Sequence, residues 1–200
     1  MKKFLAIILV ALMVFSFASC DKDKNDVSNK PSEAPVNKEE LKKGWQEGML
    51  TFANGNEVSL PCSIDEIVKV SELSVPSLET MKNTELKPGQ KKTLSLAGSN
   101  VSISIKCENT TNEPIKVAEA TVIGYTFNRT KDGNINIKFA NTLTVNAKKA
   151  DVEEVLGVDE KAIEKRFSEY KGTNEKKQDV EMRVTYDSND LVNSVAFEIK

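Results

Sequence analysis

The 200-residue chain contains no histidine. That absence excludes imidazole general bases, histidine-containing triads, and zinc or haem held by histidine. Aromatic residues are scarce, at 6% with a single tryptophan, Trp45. Neither sign of charge dominates. Lys and Arg number 28 against 30 Asp and Glu, a formal net charge of −2. Without a basic excess there is nothing to neutralise a phosphate backbone, so nucleic acid is not an expected partner. No Gly-x-Ser-x-Gly, no P-loop and no Ser-x-x-Lys with its companion motifs occurs. What is present, 39% apolar and 29% charged residues, is the balance of an ordinary folded domain.

The one long apolar run is at the start. Residues 1–20 read MKKFLAIILVALMVFSFASC. Lys2 and Lys3 make a positive beginning, Phe4 to Phe15 is unbroken apolar sequence, and the small residues Ala18 and Ser19 precede Cys20. This is the pattern of a secretory signal, and the run is short of the about 20 residues a spanning helix needs. The Phe-Ala-Ser-Cys ending resembles a bacterial lipobox, although Phe17 stands where an aliphatic residue is usual. The resemblance implies a diacylglyceryl group on Cys20, a lipid anchor on the cell membrane and exposure on its extracytoplasmic face. Loss of Lys2 and Lys3 with the signal would leave 26 cationic against 30 acidic side chains, or −4. Attachment would then rest on the acyl chains, two of which hold stably where one binds marginally. The excess of lysine over arginine, with many asparagines, resembles a low-GC Gram-positive bacterium.

Residues 21–40 carry ten charges and only Val27, Ala34 and Val36 as aliphatics. They cannot bury enough apolar surface to offset the entropy of ordering, and read as a spacer. Asp21-x-Asp23-x-Asn25 is similar to the start of a calcium loop, but Asp26 replaces the required Gly and Ser32 the required Glu. It reads as a solvated charge run, and no metal is expected.

Residues 41–200 are long enough to form one real core. Strands are expected where apolar residues alternate: Val101 to Cys107, Ile135 to Phe139, Val180 to Tyr186 and Val195 to Ile199. The run Val117 to Phe127 is apolar on both phases, as in a central strand. Asn54-Gly55 and Asp132-Gly133 suit tight hairpins, the second joining Phe127 to Ile135. Ala97 to Asn100 and Asp187 to Asp190 are further turns. Ser63-Ile-Asp-Glu66 fits a helix capping box. Asn146 can cap a helix that carries Val152, Val155 and Leu156 and ends at Gly157. A further helix over Asp159–Tyr170 would align Ile163, Phe167 and Tyr170.

The pattern amounts to an α+β domain, a mostly antiparallel sheet of seven to nine strands with two or three short helices. Val58-Ser-Leu60 and Leu143-Thr-Val145 each precede a helix and then hairpin strands, so residues 41–130 and 131–200 are candidate αβ half-repeats. The helix-then-antiparallel-sheet layout over residues 143–199 resembles small envelope lipoproteins, namely the small lipoprotein of outer-membrane assembly, and the β-lactamase inhibitory protein. Gly55-x-x-Val58-x-Leu60-Pro61-Cys62 resembles a segment of uncharacterised lipoproteins of Gram-positive gut bacteria. These resemblances carry no catalytic motif and imply binding rather than chemistry.

Cys62 and Cys107 remain after the anchor cysteine. On an oxidising side they could bridge, closing a 45-residue separation worth about 4 kcal/mol. The alternative is two buried thiols, favoured by Cys107 lying on the apolar phase of its strand. Trp45 could anchor a partner or pack the chain onto the sheet, and burial tendency favours packing. Asp65-Glu66 and Glu153-Glu154 splay around their helices as complements to the helix dipole. Asn100, Asn109 and Asn128 begin glycosylation-like triplets that read as turns.

The expected protein is therefore a non-catalytic, membrane-anchored lipoprotein that binds a protein or glycan and needs no cofactor. An inhibitor or immunity-type lipoprotein that blocks an enzyme is the alternative. A concave sheet face with exposed aromatics would favour binding, and a protruding acidic loop would favour plugging of an active site.

Overall fold

The computed structural model describes residues 44–98, 101–130, 136–159 and 166–200. Cys20, the signal segment and the spacer lie outside these residues. The fold is α+β with mostly antiparallel strands. Twelve strand segments are present among the described residues, more than expected, because six of them are two residues long.

The principal sheet has seven strands. Strands β5 (Lys91–Ala97), β6 (Ser102–Glu108) and β8 (Thr121–Asn128) form one half. Strands β10 (Phe167–Thr173), β11 (Asp179–Tyr186) and β12 (Val192–Ile199) form the other. Their order is β10-β11-β12-β8-β6-β5, and the short β3 (Cys62–Ser63) adds to β8 beyond the end of β12. Each half runs helix first, then three antiparallel strands. Helix α1 (Ile64–Ser71) precedes β5, and α3 (Lys149–Leu156) precedes β10. The last strands of the two halves, β8 and β12, pair at the centre, with Tyr125 opposite Phe197. Asp187 closes the β11–β12 turn by accepting from the N–H groups of Asn189 and Leu191.

Local sequence explains much of this. Ser63 caps α1, its hydroxyl accepting the Glu66 N–H at 3.0 Å. Ile64 and Ile67 share the buried face. Asn54-Gly55 turns β1 (Leu50–Thr51) into β2 (Glu57–Val58), and Gly55 takes a positive φ of 82°. Val122, Ile123, Tyr125 and Phe127 are all buried, as a central strand with two occupied edges requires, but the strand begins only at Thr121, and Val117–Glu119 of the expected run form a 3-10 turn. The core lies on one face of the sheet. Ile103, Phe127, Val184 and Phe197 join Val152 of α3 and Ile67 of α1 in one cluster.

Three expectations are corrected. Phe167 and Tyr170 are not helical: residues 167–173 form β10, paired along seven positions with β11. Ile163 lies outside the described residues. The segment after Asp132-Gly133, itself also outside them, does not pair with β8, whose edges are already taken by β6, β12 and β3. Instead β9 (Lys138–Phe139) pairs with β1, Leu50 opposite Phe139. The N-cap of α3 is Lys148 rather than Asn146, and its N–H is held by the Asp151 carboxylate at 2.9 Å.

Candidate functional site

The second face of the principal sheet is built by the polar phase of each strand. Two rows cross it. Thr93, Lys106, Gly124, Glu198, Glu181 and Lys171 are successive register partners. Beside them run Ser95, Ser104, Thr126, Ala196, Arg183 and Glu169. Among these residues Gly124 alone is buried. The two central strands therefore meet at a residue with no side chain, Gly124, and at Ala196, with one carbon. A groove of about 280 Å³ lies along this seam. Lys106, Arg183 and Lys200 reach into it together with the hydroxyl-bearing Thr93, Ser104 and Thr126.

One end of the groove is an ion lattice. Glu198 lies 3.0 Å from the Lys91 ammonium, 2.8 Å from that of Lys106 and 3.7 Å from that of Lys200. Lys91 also approaches Glu108 at 3.6 Å, and Lys200 approaches Glu181 at 3.1 Å. Glu181 and Glu198 stand opposite each other across β11 and β12, a like-charge pair that is unfavourable unless compensated. Lys200 supplies that compensation by bridging both. Burial acts to raise the Glu198 carboxyl, but hydrogen bonds from Lys106 and Lys91 outweigh it and hold the group below its ordinary range. At the far side Arg183 pairs with Glu169, and its guanidinium lies 4.5 Å from the centre of the Phe167 ring.

The two cysteines are buried and free. The bridge considered above is not formed, for a geometric reason. Cys62 on β3 and Cys107 on β6 both pair with Val122, from opposite sides of β8. Two strand spacings, about 9.5 Å, separate their backbones, beyond the about 7 Å that a disulfide spans. Burial pushes both thiols up to about 12, with the Glu66 charge adding to the effect at Cys62.

Trp45 is not an exposed anchor. It is 5% exposed, in a helical turn at 44–46, and its ring lies 6.3 Å from that of Tyr170. It fills the space that a side chain at Gly172 would occupy. Asn109 is fully buried, donating to the carbonyls of Leu86 and Glu113 and accepting from Thr111, so its side chain is a structural brace. Sequence reasoning missed the groove. Its residues come from five strands far apart in the chain, and each alone reads as an ordinary polar strand position.

Among the described residues no group of three or more Cys, Asp or Glu side chains could hold a metal ion. No described helix is long and apolar enough to cross a membrane. Neither a protein-family model, nor a curated protein, nor a solved structure matches the chain.

Proposed function

We propose that the chain is a non-catalytic lipoprotein, anchored through Cys20 on the extracytoplasmic face of the cell membrane, that binds a protein through the open face of its principal sheet. One observation carries the binding reading. Among the described residues a six-strand-wide polar face stands partly exposed, with a charged and hydroxyl-lined groove along the seam between its halves. A protein suits the face better than a glycan. The exposed aromatics expected of a binding face are not seen among the described residues: Arg183 covers the Phe167 ring, and Tyr125 and Phe197, which line the groove, are buried, so none of these rings is open for a sugar to stack on. The anchor reading rests on the residues around Cys20 and on the spacer that follows.

Two experiments test this. Radiolabelled palmitate should be incorporated by the native chain and not by Cys20→Ala, and incorporation that survives the substitution refutes the anchor. A photo-crosslinking residue at Ala196, on the groove floor, should give a discrete adduct in cells. The same residue at Lys82, half-exposed in the short helix α2 (Leu78–Met81) and its C-cap, should not. Equal labelling from both positions refutes the face as the binding surface.

A further inference from the structure

We infer that β5 is a self-pairing edge, and that two copies of the chain join antiparallel along it about a two-fold axis at Thr93. The inference does not depend on what the polar face binds. Strand β5 ends the principal sheet on one side. In an antiparallel ladder each residue aims both backbone groups at one neighbour, and successive residues alternate between the two sides. On β5 that alternation is fixed at both ends. Gln90 and Gly98 bond inward, to Asn109 and Val101. Ala97 exchanges two hydrogen bonds of 3.0 and 2.8 Å with Ser74, on the outer side. Lys91, Thr93 and Ser95 share the phase of Ala97, so their N–H and C=O groups point away from the sheet. Among the described residues no strand and no hydrogen-bonding side chain takes the outward groups of Thr93 and Ser95, and both residues are exposed.

Folded proteins cover, shorten or charge an open edge. The sheet's other edge is plugged by its own chain: the outward N–H of Glu169, near the middle of β10, is held by the Asp159 carboxylate at 2.9 Å. The middle of β5 has no such plug. Lys91 does not guard it, because its ammonium is drawn along the polar face to Glu198 at 3.0 Å and Glu108 at 3.6 Å. One open edge beside one plugged edge permits a closed pair and not a filament, since a head-to-tail array needs both. The open window also selects its occupant. It runs from Lys91 to Ser95, between Ser74 at Ala97 and the turn in which the Gln90 N–H meets the Lys87 carbonyl. Thr93 is its midpoint. Laid antiparallel on itself, the window sets Thr93 against Thr93 and Lys91 against Ser95, with about six backbone hydrogen bonds. Paired threonines are favourable, and no like charges stand opposite. Centring on Lys91 or Lys92 would oppose two ammonium groups. Centring on Leu94 or Ser95 would set part of the window against Ala97, whose outer side Ser74 fills. The sequence therefore fits itself in one register. The axis lies along the sheet normal, so the polar faces of the two copies look the same way.

The test uses the full chain carrying Cys20→Ala, whose remaining thiols, Cys62 and Cys107, are buried. One strand pair is a small interface, so pairing is expected between micromolar and millimolar protein. Over that range amide hydrogen exchange at Thr93 and Ser95 should slow by about tenfold or more, while Leu94 and Leu96, on the inward phase, stay slow throughout. A short bis-maleimide should join Thr93→Cys chains into covalent dimers, but not chains with Lys171→Cys, which is exposed on β10. Charge exchange gives the most specific readout. Thr93→Lys and Thr93→Glu chains should each sediment as monomers, because like charges then face each other across the axis, and an equal mixture should pair. Only contact of Thr93 with its own counterpart produces that rescue. Thermal unfolding of each variant confirms that it is folded. Fast exchange at Thr93 and Ser95 in millimolar protein, or protection that does not change on dilution, overturns the inference. Equal crosslinking from Lys171→Cys, or a mixture that stays monomeric, also overturns it. A native chain that is monomeric throughout leaves the β5 edge to a strand of another protein.

Discussion

Cys62 and Cys107 show how one environment fixes several properties of a residue. Both thiols are raised from an ordinary 9.0 to about 12, chiefly by burial. The thiolate is the reactive form, so at pH 8 both are inert in the folded chain. In a Cys20→Ala chain a thiol reagent should find none in the native state and two after unfolding. A count of none after unfolding would mean that a bridge exists. The linkage has a definite sign. Between pH 9 and 12 the folded thiols keep protons that the unfolded ones release, so stability falls as pH rises through this window and is unaffected below it. Replacing both with Ala should flatten the first part of that alkaline fall, before the buried tyrosines contribute. Trp45 makes the same point through packing. Trp45→Ala should cost about 3–5 kcal/mol, as for a large buried ring, and the native indole should emit at short wavelength. Native emission like that of free tryptophan would restore the exposed-anchor reading.

At the scale of elements, legibility followed locality. The Ser63 capping box was readable because its partners lie within one turn, and Ser63→Ala should cost about 1 kcal/mol by urea denaturation. A change below a few tenths would show that packing alone sets where α1 begins. Alternation marked β6, β11 and β12 because each has one buried and one wet face. Strand β10 was misread because Phe167 and Tyr170 share a helical stripe, whereas the ladder to β11 puts Ser168 and Tyr170 inside and Phe167 outside. Tertiary pairing overrides local pattern in such short segments. The partner of β9 could not be read at all. Leu50 and Phe139 meet only because β8 has no free edge left for β9. The groove was illegible for a related reason. It exists only where five strands align in register, and its floor is marked by the smallness of Gly124 and Ala196 rather than by any motif.

The whole molecule turns on whether its two helix-then-meander halves are separable. The seam argues that they are not. Strands β8 and β12 pair closely enough that a Cβ at Gly124 would sit 2.6 Å from the Phe197 carbonyl oxygen. Gly124→Ala must push the strands apart, and an overpacking cost of about 1–3 kcal/mol is expected from thermal unfolding. A neutral result would mean that the seam has slack. The beginning of the described chain interlocks the halves further. Trp45 packs on Tyr170 and the Glu47 carboxylate accepts the Glu175 N–H, both in the second half, while β1 of the first half pairs with β9 of the second. Each half alone would expose the edge of a central strand and strip one side from a shared core. Unfolding should therefore be a single transition. Trp45 emission reports the contact between halves, and far-ultraviolet circular dichroism reports the sheet. Their urea curves should superimpose, with one midpoint. If the emission changed at lower urea than the dichroism, the halves would be independent modules, and the groove along their seam would be a surface that can open.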